Sequence, residues 1–229
     1  MYLNELINAH SMKHIFFLLF FTSLSVASFS QTIIDFFESI PDSSLLNLTK
    51  EERKEIVKYS IDNKTEDDAI KDLMGDKINY TFSVVDLRNG YLRMIGAFEG
   101  HIQMCYWNMK DGKKLVAIYS EGCGPVCYVA QFDFYEYDGV DFKPINWRSI
   151  VPEIYLDFFG ENSKSKTEEL NKEDILATLL FELPRNGKNI TAKWGNEDSQ
   201  ETYKKYGIGD RMNLIWNDGN FIKGEIYWE

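Results

Sequence analysis

The stretch Glu121-Gly122-Cys123-Gly124-Pro125-Val126-Cys127 comes closest, by residue type and spacing, to a chemical motif. Two cysteines flanking Gly-Pro at a hairpin tip suit a short-loop disulfide in an oxidising compartment. Two free thiols, or a redox or metal role, are the alternatives. Cys-Gly-Pro-Val-Cys has one residue more than a Cys-x-x-Cys redox motif, and its strand–turn–strand setting lacks the helix N-terminus that stabilises such a thiolate. Cys105 sits in an apolar run and reads as a buried thiol.

Hydrolytic machinery is hard to assemble from the remaining residues. The sequence holds no Gly-x-Ser-x-Gly elbow, no His-Glu-x-x-His helix and no phosphate-cradling glycine loop. A serine or cysteine nucleophile needs a base, and beyond residue 30 His101 is the sole histidine. It opens an apolar strand, where a structural role is the simpler reading. His101 with Cys123 and Cys127 matches no common zinc spacing, so no metal ligand, cofactor or catalytic residue is assigned. Asp138-Gly139-Val140-Asp141 resembles a calcium loop only superficially and reads as a hairpin turn. Paired carboxylates remain available for glycosidase-type chemistry, but 36 Asp and Glu in the chain leave no pair singled out.

Aromatic residues are the positive indication. Tyr106, Tyr119, Tyr135 and Tyr137 are expected to share one face of a β meander, with Trp147 soon after. An open face of this kind would bind a protein, peptide or glycan, because amphipathic rings suit recognition surfaces. Burial under a further β layer is the competing expectation.

The elements that must position these residues follow from composition and pattern. A content of 44 % hydrophobic and 15 % aromatic residues among 229 supports a sizeable core and excludes a disordered chain. A formal net charge of −11 argues against nucleic acid, whose phosphates need a surplus of Lys and Arg. Met12-Lys13-His14, the apolar run Ile15–Phe21 and the small-residue exit at Ser28 and Ser30 read as a secretory signal over residues 1–30, with Met12 the better initiator. Cleavage before Gln31 would leave a secreted or periplasmic chain without a membrane span.

Ile33, Ile34, Phe36, Phe37 and Ile40 form an apolar helical block ended by Pro41. Thr49 and Glu52 spell a capping box opening a helix through about Ser60, and a weaker helix is expected over Glu66–Met74. The period then changes. Asn89-Gly90, Asp111-Gly112, Asp138-Gly139, Asn186-Gly187 and Asp218-Gly219 each lie between apolar or alternating runs, the pattern of an antiparallel meander. Ten strands are expected near 78–86, 91–98, 101–109, 114–120, 126–137, 141–146, 177–183, 188–194, 211–217 and 221–228. A two-residue turn on Asp111-Gly112 would set Cys105 opposite Ile118 and Trp107 opposite Val116. A turn between Cys123 and Cys127 would set Ile118 opposite Phe132 and Val116 opposite Phe134. Gly160 to Asp174 is polar and reads as a long loop.

The segment Phe36-Phe37-Glu38-Ser39-Ile40-Pro41-Asp42-Ser43-Ser44-Leu45-Leu46-Asn47-Leu48-Thr49, running into Arg53-Lys54-Glu55-Ile56-Val57, resembles the opening of a family of secreted bacterial proteins of unknown function. The resemblance implies secretion and a β-rich body after the helix, and supplies no catalytic residues. The sequence therefore predicts an α+β protein: N-terminal helices packed on an antiparallel meander within 31–150, and a smaller hairpin-rich unit over 151–229, the two forming separate or continuous domains. The expected function is non-enzymatic binding of a protein, peptide or glycan, with a carboxylate-dependent hydrolase as the alternative and a thiol-redox protein behind it.

Overall fold

A computed structural model describes residues 31–45, 48–62, 80–95, 100–124, 127–172, 178–195 and 204–229. The secretory signal expected over 1–30 and the helix expected over Glu66–Met74 lie outside the described residues. Thr32–Glu229 forms one unit. Its first helix, α1 (Ile33–Ser39), starts at a reciprocal cap: the Thr32 N–H donates to Asp35 Oδ2 (2.6 Å) while Asp35 N–H reaches Thr32 Oγ1 (3.4 Å). The Thr49/Glu52 cap opens α2 (Lys50–Asp62) in the same way, with Thr49 N–H to Glu52 Oε2 at 2.8 Å and Glu52 N–H to Thr49 Oγ1 at 3.3 Å.

Two antiparallel sheets follow. The first is a six-stranded meander, β1 (Thr81–Asp86), β2 (Tyr91–Ile95), β3 (Gly100–Asn108), β4 (Lys114–Gly122), β5 (Tyr128–Tyr137) and β6 (Phe142–Ile145), paired in chain order. The second pairs β7 (Leu179–Glu182), β8 (Ile190–Trp194), β9 (Arg211–Trp216) and β10 (Phe221–Tyr227), again consecutively. The fold is α+β. The five Asn-Gly and Asp-Gly pairs fall in the β1–β2, β3–β4, β5–β6, β7–β8 and β9–β10 connections, as their flanking patterns predict. The stretch from 160 is not simply a loop: Ser163–Lys172 forms a helix, α3, entered through Asn162 at φ 61°.

The register differs from the expected one by a residue at two successive hairpins. Cys105 lies opposite Ala117 and Trp107 opposite Leu115, while Phe132 faces Tyr119 and Phe134 faces Ala117. The first slip originates in the turn. Gly112 has φ +87° but Asp111 is not in the positive-φ region, so the loop is the three-residue kind, closed by Met109 N–H to Lys113 C=O (3.0 Å) and Gly112 N–H to Met109 C=O (3.1 Å). Only Asp218-Gly219 places both residues at positive φ (47° and 103°) in a two-residue loop between Asn217 and Asn220. Because side chains alternate with period two, the slip brings Leu115, Ala117 and Tyr119, rather than Val116 and Ile118, onto the face of Cys105, Trp107, Phe132 and Phe134.

Each face of the meander is then covered by its own layer. On one side Leu92, Met94, Ile102, Met104, Val116 and Ile118 pack under the helices and their connection, which supply Ile33, Phe36, Phe37, Leu45, Ile56 and Val57. The i, i+3, i+4 spacing of Ile33, Phe36 and Phe37 puts all three on the buried stripe of α1, with the Phe36 ring 5.0 Å from Tyr106 and the Phe37 ring 5.2 Å from Phe82. On the other side Cys105, Trp107, Leu115, Ala117, Tyr119, Phe132 and Phe134 meet Phe181, Ile190, Ala192, Met212, Leu214 and Phe221 of the second sheet. Trp107 fastens this interface by stacking on Trp216 (5.5 Å) and donating its indole N–H to Lys188 C=O (2.8 Å).

Arg53 is fully buried within α2, yet its bonds go mainly to backbone. Its guanidinium donates to the carbonyls of Leu48 (2.6 Å), Ile40 (2.5 Å) and Glu38 (3.3 Å) and approaches Asp42 at 3.0 Å. The carbonyls released at the end of α1 and before α2 therefore find donors without water.

Candidate functional site

The inter-sheet core opens to solvent beside β5. A cleft of about 460 Å³ lies between β5 (Val129–Phe132), the turns carrying Trp147 and Pro152–Tyr155, and β7 (Leu179, Phe181). Its wall is aromatic because Phe132 stands on the inter-sheet side of β5, where it meets Phe181 at 4.7 Å and Trp147 at 5.8 Å. Trp147 is held at the rim by a short 3-10 turn (Trp147–Ser149), which Asn146 caps by accepting the Arg148 N–H at Oδ1 (3.1 Å). The Arg148 guanidinium lies 4.7 Å over the Trp147 ring. Tyr155 sits on a second 3-10 turn (Tyr155–Phe159), packed against Phe159 (5.5 Å) and Trp194 (5.8 Å), and burial raises its phenol pKa. Among the described residues lining the cleft, the exposed Glu153 is the one carboxylate.

The β5 side of the cleft is a strand edge. β6 pairs with β5 only from Phe134 to Tyr137, so among the described residues the Tyr128–Asp133 half of β5 has a partner strand on one side alone. A bulge at Ala130, between the Ser120–Gln131 and Glu121–Val129 pairs, brings Val129 and Phe132 both into the cleft lining.

Of the aromatic residues singled out in the sequence, Trp147 alone lines this cleft. Tyr135 and Tyr137 are buried against the helical layer, and Tyr106 is half-buried beneath Phe36. Tyr119 stands on the opposite face, fully buried between the sheets, as the one-residue slip requires. Its hydroxyl donates to Glu121 Oε2 (3.3 Å) and accepts the Phe181 N–H (3.2 Å), and burial pushes the phenol pKa strongly up. The four tyrosines therefore form no common surface. The residues that do line the cleft come from four separate segments, and neither Tyr155 nor Glu153 carried a motif that would have marked it.

Cys123 and Cys127 are joined by a disulfide that ties the end of β4 to the start of β5. Cys105 is a free thiol, and complete burial raises its pKa and disfavours the thiolate. His101 is committed within a polar cluster. Gln103 Oε1 accepts the Leu183 N–H (2.8 Å), which turns the Gln103 amide nitrogen toward His101 Nε2 at 2.5 Å. Nε2 is then the acceptor, and Nδ1 carries the proton and donates it to Glu121 Oε1 (2.9 Å). Both ring nitrogens are engaged, which leaves no lone pair for a general base. Burial raises the Glu121 pKa, but the hydrogen bond donated by His101, followed by the Lys193 charge and the Tyr119 hydrogen bond, outweighs it and holds the carboxyl below its ordinary value. Asp138 spends its carboxylate locally, accepting the N–H groups of Val140 (3.1 Å) and Asp141 (3.0 Å) and the Lys143 ammonium (2.8 Å), which lowers its pKa and makes it a hairpin fastener. Among the described residues no three His, Cys, Asp or Glu side chains converge in a metal-holding group.

Residues 25–206 match the family described as "Protein of unknown function (DUF3256)", and the chain belongs to that family. No curated protein matches it. Its fold is similar to the solved structure of a domain of an uncharacterized protein from Porphyromonas gingivalis W83. That likeness has a TM-score of 0.59 at 12 % identity and covers 84 % of this chain and 97 % of that one. At this identity the likeness establishes the architecture alone.

Proposed function

We propose that this family member is an exported, non-enzymatic recognition protein that seats its ligand in the cleft between β5, Trp147, Tyr155 and β7. The observation that carries the reading is the opening of the aromatic inter-sheet core into a cleft of about 460 Å³, beside a stretch of β5 that among the described residues has a partner strand on one side alone. Concave apolar sites with few polar groups are the usual form of a binding site. The hydrolase alternative has less to draw on, since a glycosidase-type reaction uses two acids across the scissile bond and, among the described residues, the cleft lining holds one acid, Glu153. Export is supported by the sequence of residues 12–30 and by the Cys123–Cys127 disulfide, a bond that persists in oxidising compartments.

The purified full chain, screened against glycan and linear-peptide panels by tryptophan fluorescence, should bind a subset of one panel without turning it over. Trp147→Ala should weaken that binding about 30-fold, the range for truncating a central aromatic anchor. Turnover abolished by Glu153→Gln, or binding indifferent to Trp147, would overturn the reading.

A further inference from the structure

The geometry points to an extended peptide as the occupant of this cleft, added as a short strand to the free Tyr128–Asp133 edge of β5 with an apolar side chain lodged against Phe132, Trp147 and Phe181. The inference rests on the proposed binding role of the cleft and names its ligand class.

Three observations converge on it. The first is the length mismatch within the last hairpin of the meander. β6 accompanies β5 from Tyr137 back to Phe134 and then turns away at Asn146, where the capped 3-10 turn carries the chain off the sheet. Among the described residues, no strand takes the position that a longer β6 would occupy beside Asp133, Phe132 and Gln131. Val129 and Gln131 are half-buried and Tyr128 and Ala130 exposed, so this edge is reachable from solvent. A strand edge presents backbone donors and acceptors at the spacing of another extended chain, and added strands exploit that match.

The second observation is the state of the aromatic faces. Flat stacking of a sugar ring needs an uncovered ring. The Trp147 ring carries the Arg148 guanidinium at 4.7 Å and contacts Phe132 and Phe181, while Tyr155 is engaged by Phe159 and Trp194. Ring edges around a hollow suit an inserted aliphatic or aromatic side chain better than a stacked pyranose. Charge is the third. Among the described residues lining the cleft the sole ionic one is the exposed Glu153, on a chain of net charge −11, which favours a peptide carrying a cation near its apolar anchor. The bulge at Ala130 interrupts the edge after Gln131, so the regular ladder is short and the anchor side chain has to carry much of the specificity.

The test pans a randomised linear-peptide display library against the full chain, then synthesises the enriched peptides with and without N-methylation of their backbone amides. Enriched peptides are expected to combine a bulky apolar residue with Lys or Arg, to shift the backbone amide resonances of residues 128–133, and to bind about tenfold more weakly when N-methylated at the pairing positions, the effect of losing one or two hydrogen bonds. Ala130→Arg, at an exposed site lining the cleft, should abolish binding while leaving the melting temperature unchanged, which guards against a Trp147 variant that merely unfolds. Equal binding by the N-methylated peptides overturns strand addition while the Trp147-dependent recognition role survives. Glycan binding with no enriched peptide has the same consequence. Concentration-dependent shifts of 128–133 in the protein alone would make a second copy the occupant and overturn the inference. No Trp147-dependent ligand from either panel overturns both readings.

Discussion

Replacing Arg53 tests whether a fully buried cation can be held chiefly by backbone carbonyls. Arg53→Met keeps the alkyl volume and removes the donors, leaving the Leu48, Ile40 and Glu38 carbonyls without their partner. At about 1 kcal/mol or somewhat more per orphaned buried carbonyl, the loss comes to about 3–4 kcal/mol. For a unit of this size that corresponds to a fall in Tm of about 10 °C. Arg53→Lys restores a single point donor and should recover roughly a third of the loss. Asp42, more than half exposed, contributes an ion pair that solvent screens, so Asp42→Ala should cost below about 1 kcal/mol. Urea unfolding followed by far-UV circular dichroism reads all three variants, with unchanged m-values licensing the comparison. Equal costs for Asp42→Ala and Arg53→Met would show that charge pairing rather than carbonyl capping holds the residue in place. A neutral Arg53→Met would show that the carbonyls find other donors.

Opening the Cys123–Cys127 bridge with Cys123→Ser should lower stability by about 2 kcal/mol, the chain-entropy contribution of so short a loop, while leaving the β ladders intact by circular dichroism. Thiol–disulfide reductase activity that vanishes in this variant would refute the structural role. Since the Glu121 carboxyl is held below its ordinary 4.5, its ionised form stabilises the fold at neutral pH, and that contribution is lost as pH falls below 4.5. Glu121→Gln should therefore be less stable than the parent at pH 7, with the gap closing toward pH 3 in thermal melts. A gap that widens on acidification would reverse the sign of the argument.

Turn chemistry and cap chemistry were legible because each is decided within a few residues. The five Asn-Gly and Asp-Gly pairs located five hairpins, and Thr49 with Glu52 located the start of α2. Thr32 with Asp35 performs the same reciprocal bonding, but Asp in place of Glu at the third position hid it from the motif. Register was not legible. Asp111-Gly112 admits both a two-residue loop with two positive φ angles and a three-residue loop with one, and both faces of β4 are apolar enough to accept either outcome. That single residue decided the placement of Tyr119, and with it the fate of the expected tyrosine surface. The cleft was invisible for a different reason. Its lining comes from residues 129–132, 147, 152–155 and 179–181, brought together only when the second sheet docks. Trp147 was legible as an aromatic beyond the meander, though not as a member of that group.

In both sheets every strand pairs with its immediate neighbour in the chain. Ordering such a ladder demands mainly the closure of short loops, whose entropic cost is small, the β8–β9 connection over 195–210 being the long one. The expensive step is bringing the two ladders together, as in the bond from the Trp107 indole to Lys188, which spans 81 residues. Folding should accordingly divide into early zippering of hairpins and a later association of preformed layers, faster than a Greek-key protein of equal length would achieve.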